Sequence, residues 1–189
     1  MMKIWKIYCA GGDVFLPESK RSPIFAQMEK LADELSDRHC CFQLLLPLDN
    51  EIDLSPGFSL EIKRDNALKI RLANERMIQE CDAVIANLSP FRGAEPDCGT
   101  AYECGFARAL GKRVLAYSDN LAEQTVKYDG FDFMQTAPDG RFAYTEIEDF
   151  ALPFNLMLYD VGMTIFKDFA AALDFYADQC KRADDGHHG

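Results

Sequence analysis

The sequence predicts an α/β fold, a parallel sheet wrapped by helices on both faces, and three observations carry that reading. Apolar runs of strand length alternate with segments of helical period along the chain. The run Ala83-Val84-Ile85-Ala86 is apolar at every position, as a strand covered on both faces demands. The 189 residues suffice for one domain that buries most of its apolar surface without disulfides or metal. About five strands, with a crossover after the first, correspond to a flavodoxin-like (Rossmann-type) doubly wound order.

Each element follows from local pattern. Lys3 to Ala10 is a strand that Gly11-Gly12 end. Ser22-Pro23 opens a helix to about Arg38, with serine at the cap and proline in the first turn. Gln43 to Leu48 is a second strand, an apolar run closed by Pro47. Glu61 to Glu80 is helical, with Ile62, Ile70, Ala73 and Met77 on one stripe. After Ala83–Ala86, Asp97 to Leu110 forms the next helix and Lys112 to Tyr117 the fourth strand. Ser118 to Asp149 has weaker pattern and is read as a short helix with loops. Pro153 to Leu158 starts another helix, and Thr164 to Cys180 places Phe166, Phe169, Ala170, Leu173, Ala177 and Cys180 at helical spacing. One domain over residues 1–182 results, with 183–189 as a polar, disordered tail.

Composition removes several functions. Asp plus Glu number 31 against 20 Lys plus Arg, and a net charge of −11 repels phosphate polymers, so no nucleic-acid strand is expected as a partner. No apolar run approaches the ~20 residues that span a bilayer. Lys3 and Lys6 interrupt the N-terminal apolar residues too early for a signal peptide, so the expectation is a cytoplasmic protein without a membrane partner. The seven cysteines are odd in number and show no Cys-x-x-Cys pair. Cys9, Cys81, Cys98 and Cys104 lie among apolar or small residues, where reduced thiols pack as small hydrophobes. His39 ends a predicted helix, and His187 and His188 sit in the tail, so neither a zinc site nor a histidine triad is expected. Gly11-Gly12 lacks the remaining spacing of a dinucleotide fingerprint and no Walker lysine occurs, which leaves no cofactor implied. General-base work falls to carboxylates.

Open parallel sheets bind ligands beyond the carboxyl ends of their strands, which puts Gly11 to Phe15 and Asn87 to Asp97 at the mouth of a site. Asp97 can cap its helix through the carboxylate. Gly99, Glu103, Phe106 and Leu110 share one stripe, expected to face the sheet. A glutamate there is either a surface carboxylate at a helix edge or a group beside a ligand, and the small residues Gly99, Ala101, Gly105 and Ala107 leave room for the ligand. The helix dipole and nearby N–H donors would keep Glu103 ionised, fit to act as a nucleophile. Asn74 lies on the inward stripe between Ile70 and Met77, where its amide binds a loop backbone or a ligand. Tyr8, late in the first strand, packs or aims its hydroxyl at the mouth.

The run Cys81-Asp82-Ala83-Val84-Ile85-Ala86-Asn87-Leu88-Ser89-Pro90-Phe91-Arg92-Gly93, followed by Glu95-Pro96-Asp97-Cys98-Gly99-Thr100-Ala101-Tyr102-Glu103-Cys104-Gly105, resembles the signature of the nucleoside 2-deoxyribosyltransferases. Ile7 to Phe15 and Leu152 to Asp160 are similar to that family's opening and late motifs, and the matches run in order from about Lys3 to Phe175. Gly12 stands where many members have Pro, and Asn74 where some have Asp. The resemblance implies that Glu103 is the nucleophile, attacking the anomeric carbon of a 2-deoxynucleoside to give a covalent deoxyribosyl enzyme that a second purine or pyrimidine base resolves with retention. It further implies that Tyr8 orients Glu103 and that Asp97 and Asn74 bind base or sugar hydroxyls and assist proton transfer. Phe15 and Gly11 line the substrate pocket. Asn155 and Met157 match positions that enter the site from a neighbouring subunit, implying a homodimer or higher oligomer, and no cofactor or metal is needed. The apolar cluster Phe154, Leu156, Met157 and Leu158 is expected to leave an exposed patch for that contact. Two other readings remain. A deoxynucleoside 5-monophosphate N-glycosidase of the same superfamily would need groups for a phosphate, and only Ser89 and Arg92 sit near the mouth. A non-catalytic nucleoside-binding domain need not keep Glu103, Tyr8 and Asp97 together.

Overall fold

Burial rises along the first strand, β1 (Lys3–Ala10), from exposed Lys3 and Ile4 to buried Ile7–Ala10. The cause is its pairing: β2 (Cys40–Leu45) runs beside Lys3–Tyr8, and β3 (Ala83–Asn87) adds a second neighbour only along Ile7–Ala10. β3 then pairs with β4 (Arg113–Tyr117), and β4 with the two-residue β5 (Ile165–Phe166). All pairs are parallel, and the order β2-β1-β3-β4-β5 is the expected flavodoxin-like one. This computed structural model describes residues 3–37, 40–50, 52–129, 147–160 and 163–185.

Alternation along the strands feeds two cores. Ile7, Cys9, Ile85 and Leu115 face a layer made by α1 (Glu18–Leu35), through Met28 and Ala32, and by α5 (Phe169–Asp185). The inward residues of α5 are Phe169, Ala172, Leu173, Tyr176, Ala177 and Cys180, a helical stripe. Tyr8, Ala10, Val84, Ala86 and Ala116 face the other way, onto α2 (Leu60–Glu80) through Ile78 and α3 (Cys98–Ala109) through Cys104 and Ala107. Each wholly buried aliphatic side chain, such as Ile7, Ile85 or Leu173, contributes about 1.5–3 kcal/mol of transfer free energy.

Several boundaries differ from expectation. α1 starts at Glu18, because the Pro17 carbonyl already accepts from the N–H groups of Lys20 and Arg21; Pro23 lies inside the helix, where it removes the N–H that would reach the Ser19 carbonyl. β2 lies three residues earlier than Gln43 to Leu48, since the chain turns at Leu46, whose carbonyl accepts from Asp49. Thr164 to Cys180 is not one helix. Ile165 and Phe166 extend along Ala116 and Tyr117 as β5, and α5 begins only after Asp168, whose carboxylate accepts from the Ala171 N–H at 2.8 Å. Pro153 to Leu158 yields no α-helix but a 3-10 turn, Leu156–Leu158, capped by Asn155. Its apolar cluster is largely internal: Phe154 and Leu158 are buried in the α2/α3 core, and only Leu156 and Met157 stay exposed.

The short helix expected after Ser118 is α4 (Gln124–Lys127). His39, His187 and His188 and residues 130–146 lie outside the described residues, and α5 continues to Asp185. Cys9, Cys81 and Cys104 are buried free thiols, whereas Cys98 is exposed at the first turn of α3. Among the described residues no helix is long and apolar enough to cross a membrane.

Candidate active site

At the start of α3 the Asp97 carboxylate accepts from the Thr100 N–H at 3.0 Å and from its hydroxyl at 3.3 Å, so Asp97 caps the helix as its residue type predicts. The face that α3 turns to the sheet is Thr100, Cys104 and Ala107, not the stripe expected from Gly99, Phe106 and Leu110. Glu103 therefore stands at the edge of the buried face. From there its carboxylate meets the carboxyl end of β1, where wholly buried Tyr8 donates its hydroxyl to Glu103 Oε1 at 2.7 Å. Asn74, on α2, donates its amide to the same oxygen at 3.5 Å. Asn74 Oδ1 in turn accepts from Asn50 Nδ2 at 3.5 Å, and that amide is anchored on the Pro47 carbonyl at 2.7 Å. Both donors address Oε1, and no described residue donates to Oε2.

Burial pushes the Glu103 carboxyl up to about 7. The Tyr8 and Asn74 hydrogen bonds oppose the rise and the Asp97 charge adds to it. The helix dipole does not hold Glu103 ionised as expected, because the effect fades beyond the first turn and Glu103 is the sixth residue of α3. Burial, reinforced by the neighbouring Glu103 charge, raises the Tyr8 hydroxyl far above the ordinary tyrosine value, so Tyr8 is a donor at any working pH.

Glu103 opens onto a cleft of about 490 Å³ beyond the carboxyl ends of β1 and β3. Gly11, Val14 and Phe15 form one wall, Asn74, Asp97, Gly99 and Thr100 the polar side, and Leu48, Ile52, Leu54 and Ile70 an apolar lip. Gly11 sits at a close approach, since a Cβ there would lie 3.0 Å from Asp13 Oδ2 and 3.1 Å from Asn87 Cβ and those neighbours would have to yield. Asn87 joins the two mouth loops by donating to Asp13 Oδ2 at 2.8 Å. The cleft thus gathers Tyr8, Gly11, Phe15, Asn74, Asp97 and Glu103, the first through its bond to the last. Asn155 and Met157 do not line it within this chain. Asn155 donates to Glu148 Oε1 at 2.6 Å and accepts from the Met157 N–H at 3.0 Å, and the Met157 side chain is 78% exposed.

Two contributors escape sequence reasoning. Asn50 and the lip residues come from the segment after β2, whose only local signal is Pro47 ahead of an Asp-Asn pair. Glu95 braces the stretch leading to Asp97: its Oε1 accepts from Gln124 Nε2 at 2.6 Å and from the Tyr128 hydroxyl at 2.8 Å, which ties α4 to the mouth. Ser89 and Arg92 do not line the cleft. The Ser89 hydroxyl accepts from the Asp119 N–H, and the Arg92 guanidinium lies over aromatic rings. Among the described residues no cluster of His, Cys, Asp and Glu could hold a metal ion.

The chain is similar in sequence and fold to known proteins. A solved 2-desoxiribosyltransferase from Leishmania mexicana is 36% identical and superposes with a TM-score of 0.69 over 92% of this chain and 97% of its own. The 2-deoxyribosyltransferase of Bacillus psychrosaccharolyticus is 22% identical, with a TM-score of 0.44 over 77% of this chain and 93% of its own. An uncharacterised protein of Schizosaccharomyces pombe is 28% identical over 120 residues, 61% of this chain, and the chain spans about half the length of that curated relative (51%). Residues 7–157, which include the Ile7–Ala10 half of β1, all of β3 and α3 and every cleft residue named above, match the family described as nucleoside 2-deoxyribosyltransferase. The chain therefore belongs to the nucleoside 2-deoxyribosyltransferase family, a family of pentosyltransferases.

Proposed function

We propose that the protein transfers 2-deoxyribose between purine or pyrimidine bases with Glu103 as nucleophile. The observation that carries this reading is a half-buried carboxylate whose Oε1 is held by Tyr8 and Asn74 while no described residue donates to Oε2, at the wall of a partly apolar cleft. In the first step a Glu103 oxygen bonds to the anomeric carbon as the glycosidic C–N bond breaks, its electron pair staying with the base nitrogen. That nitrogen gains a proton. In the second step the nitrogen of another base attacks the same carbon, Glu103 leaves as a carboxylate and the incoming base loses its proton. Two inversions give net retention. Asp97 is suited to carry the proton between outgoing and incoming bases, whereas Asn74 can only bind, because an amide neither gains nor loses a proton near neutral pH.

Deoxyribose suits the site, since no electron-withdrawing 2-hydroxyl opposes positive charge at the anomeric carbon. Among the described lining residues there are two acids and no Lys, Arg or His, which favours neutral nucleosides over the 5-monophosphates that an N-glycosidase of the superfamily would take. A homodimer or higher oligomer, in which Asn155 and Met157 reach a neighbouring cleft, and a cytoplasmic location complete the proposal.

Incubating the protein with 2-deoxyadenosine and a different free base, then chromatographing the products, tests the reaction. A new deoxynucleoside is expected from the parent protein and none from Glu103→Ala, whose fold should persist because alanine favours the helix. Undiminished turnover by a folded Glu103→Ala protein would rule the nucleophile out.

A further inference from the structure

Arg92 adopts a φ of 56°, in the left-handed region where any residue with a Cβ is disfavoured. Its side chain has a definite place. The guanidinium lies 4.8 Å from the centroid of the Phe15 ring and 4.6 Å from that of Phe91, and the two rings stand 5.7 Å apart. One cation thus caps two aromatic rings from different loops, Phe15 from the 3-10 turn after β1 and Phe91 from the loop after β3. The seat beneath is tight. A Cβ on Gly12 would come within 2.7 Å of the Phe91 ring, and the Phe91 N–H bonds the Glu95 carbonyl at 2.8 Å, closing the turn that carries Arg92. Phe15 lines the cleft yet is 57% exposed on a four-residue turn, so it depends on these ring contacts to hold its orientation.

From this geometry we infer that Arg92 is a positioning residue that fixes the Phe15 ring as the wall against which a nucleobase stacks. The role of the wall rests on the function proposed above. The fixing of the ring does not.

The test separates the two. Arg92→Asn removes the guanidinium but tolerates the left-handed backbone, and Arg92→Lys restores a cation without the planar fork. With 4-fluorophenylalanine placed at position 15, the fluorine resonance should be single and narrow in the parent, shifted and broadened in Arg92→Asn, and moved back toward the parent in Arg92→Lys. In base exchange, Arg92→Asn should raise KM for the acceptor base roughly 3- to 10-fold with kcat nearly unchanged, and Arg92→Lys should recover part of the loss. The melting temperature should not fall, which a merely structural role would require. An unchanged fluorine resonance in Arg92→Asn overturns the inference, and so does an unchanged KM in an exchange-competent parent. A parent that performs no base exchange sinks the proposed function, and the fluorine signal then decides the position of Phe15 by itself.

Discussion

Glu103, the nucleophile proposed above, is held between opposing influences whose balance sets its protonation. With its carboxyl pushed up to about 7, chiefly by burial, a large share is protonated at neutral pH and unable to form a bond to carbon. The Tyr8 hydrogen bond favours the ionised form and the Asp97 charge disfavours it. It follows that kcat/KM should fall toward acid with a midpoint near 7. Tyr8→Phe should move that limb to higher pH and Asp97→Asn should move it to lower pH, each by roughly one pH unit. Both variants will be slower than the parent, but the limb is read from the shape of a pH–rate profile, not from its height. A limb that moved down in Tyr8→Phe would contradict the assignment. At this scale the sequence was informative because Glu103 sits among Gly99, Ala101, Gly105 and Ala107, too small to fill the space beside it. Its ionisation was not legible, since that depends on how deeply α3 seats against β1 and on Asp97 folding back over the same cleft.

Among the elements, β1, α2, β3, α3 and β4 were legible from apolar period and helix caps alone, and they position most of the site. The misread pieces are those in which a long-range partner decides. Ile165 and Phe166 fit the helical spacing of α5, yet the open edge of β4 draws them into the sheet. The cleft lip after β2 has no period of its own and is tied to α2 by Asn66, whose side chain accepts from the Ser55 N–H and donates to the Ser55 carbonyl, each at 2.9 Å, and by Asn50 reaching Asn74. Gly12 illustrates an element-scale constraint as well. The Phe91 ring occupies the space a Cβ there would need. Gly12→Ala should therefore destabilise the protein by ~1–3 kcal/mol, a fall in Tm of roughly 2–10 °C. Phe91→Leu in the same chain should remove most of the penalty, and thermal unfolding of the single and double variants measures the coupling. Additive losses would show that the clash is relieved elsewhere.

For the whole molecule, the question is which surfaces remain unpartnered. Phe154 and Leu158 turn inward, so the late motif offers Leu156, Met157 and Tyr159, while Phe58, Leu60, Leu68 and Leu72 leave apolar surface open on and before α2. If Asn155 completes a neighbour's cleft, two inactive variants should complement one another. Glu103→Ala chains keep Asn155 and Asn155→Ala chains keep Glu103, so a mixed dimer contains one cleft with both groups and one with neither. Random exchange makes half of the dimers mixed, and recovery should approach roughly a quarter of parent activity. Subunit exchange is followed by mass spectrometry. A fully exchanged mixture that stays inactive would mean that Asn155 serves its own cleft or none.

The bond between Tyr8 and Glu103 spans 95 residues of sequence, and β1 acquires its inner neighbour only when β3 docks beside Ile7–Ala10. No fragment that stops short of α3 can possess the site, because Tyr8 and Glu103 meet only when the long loop between them closes. Such non-local pairing is slow to form, so after dilution from denaturant secondary structure is expected to return ahead of the bond between Tyr8 and Glu103. On the function proposed above, base exchange should be regained no earlier than that bond as the chain refolds, which stopped-flow circular dichroism alongside an activity time course would check.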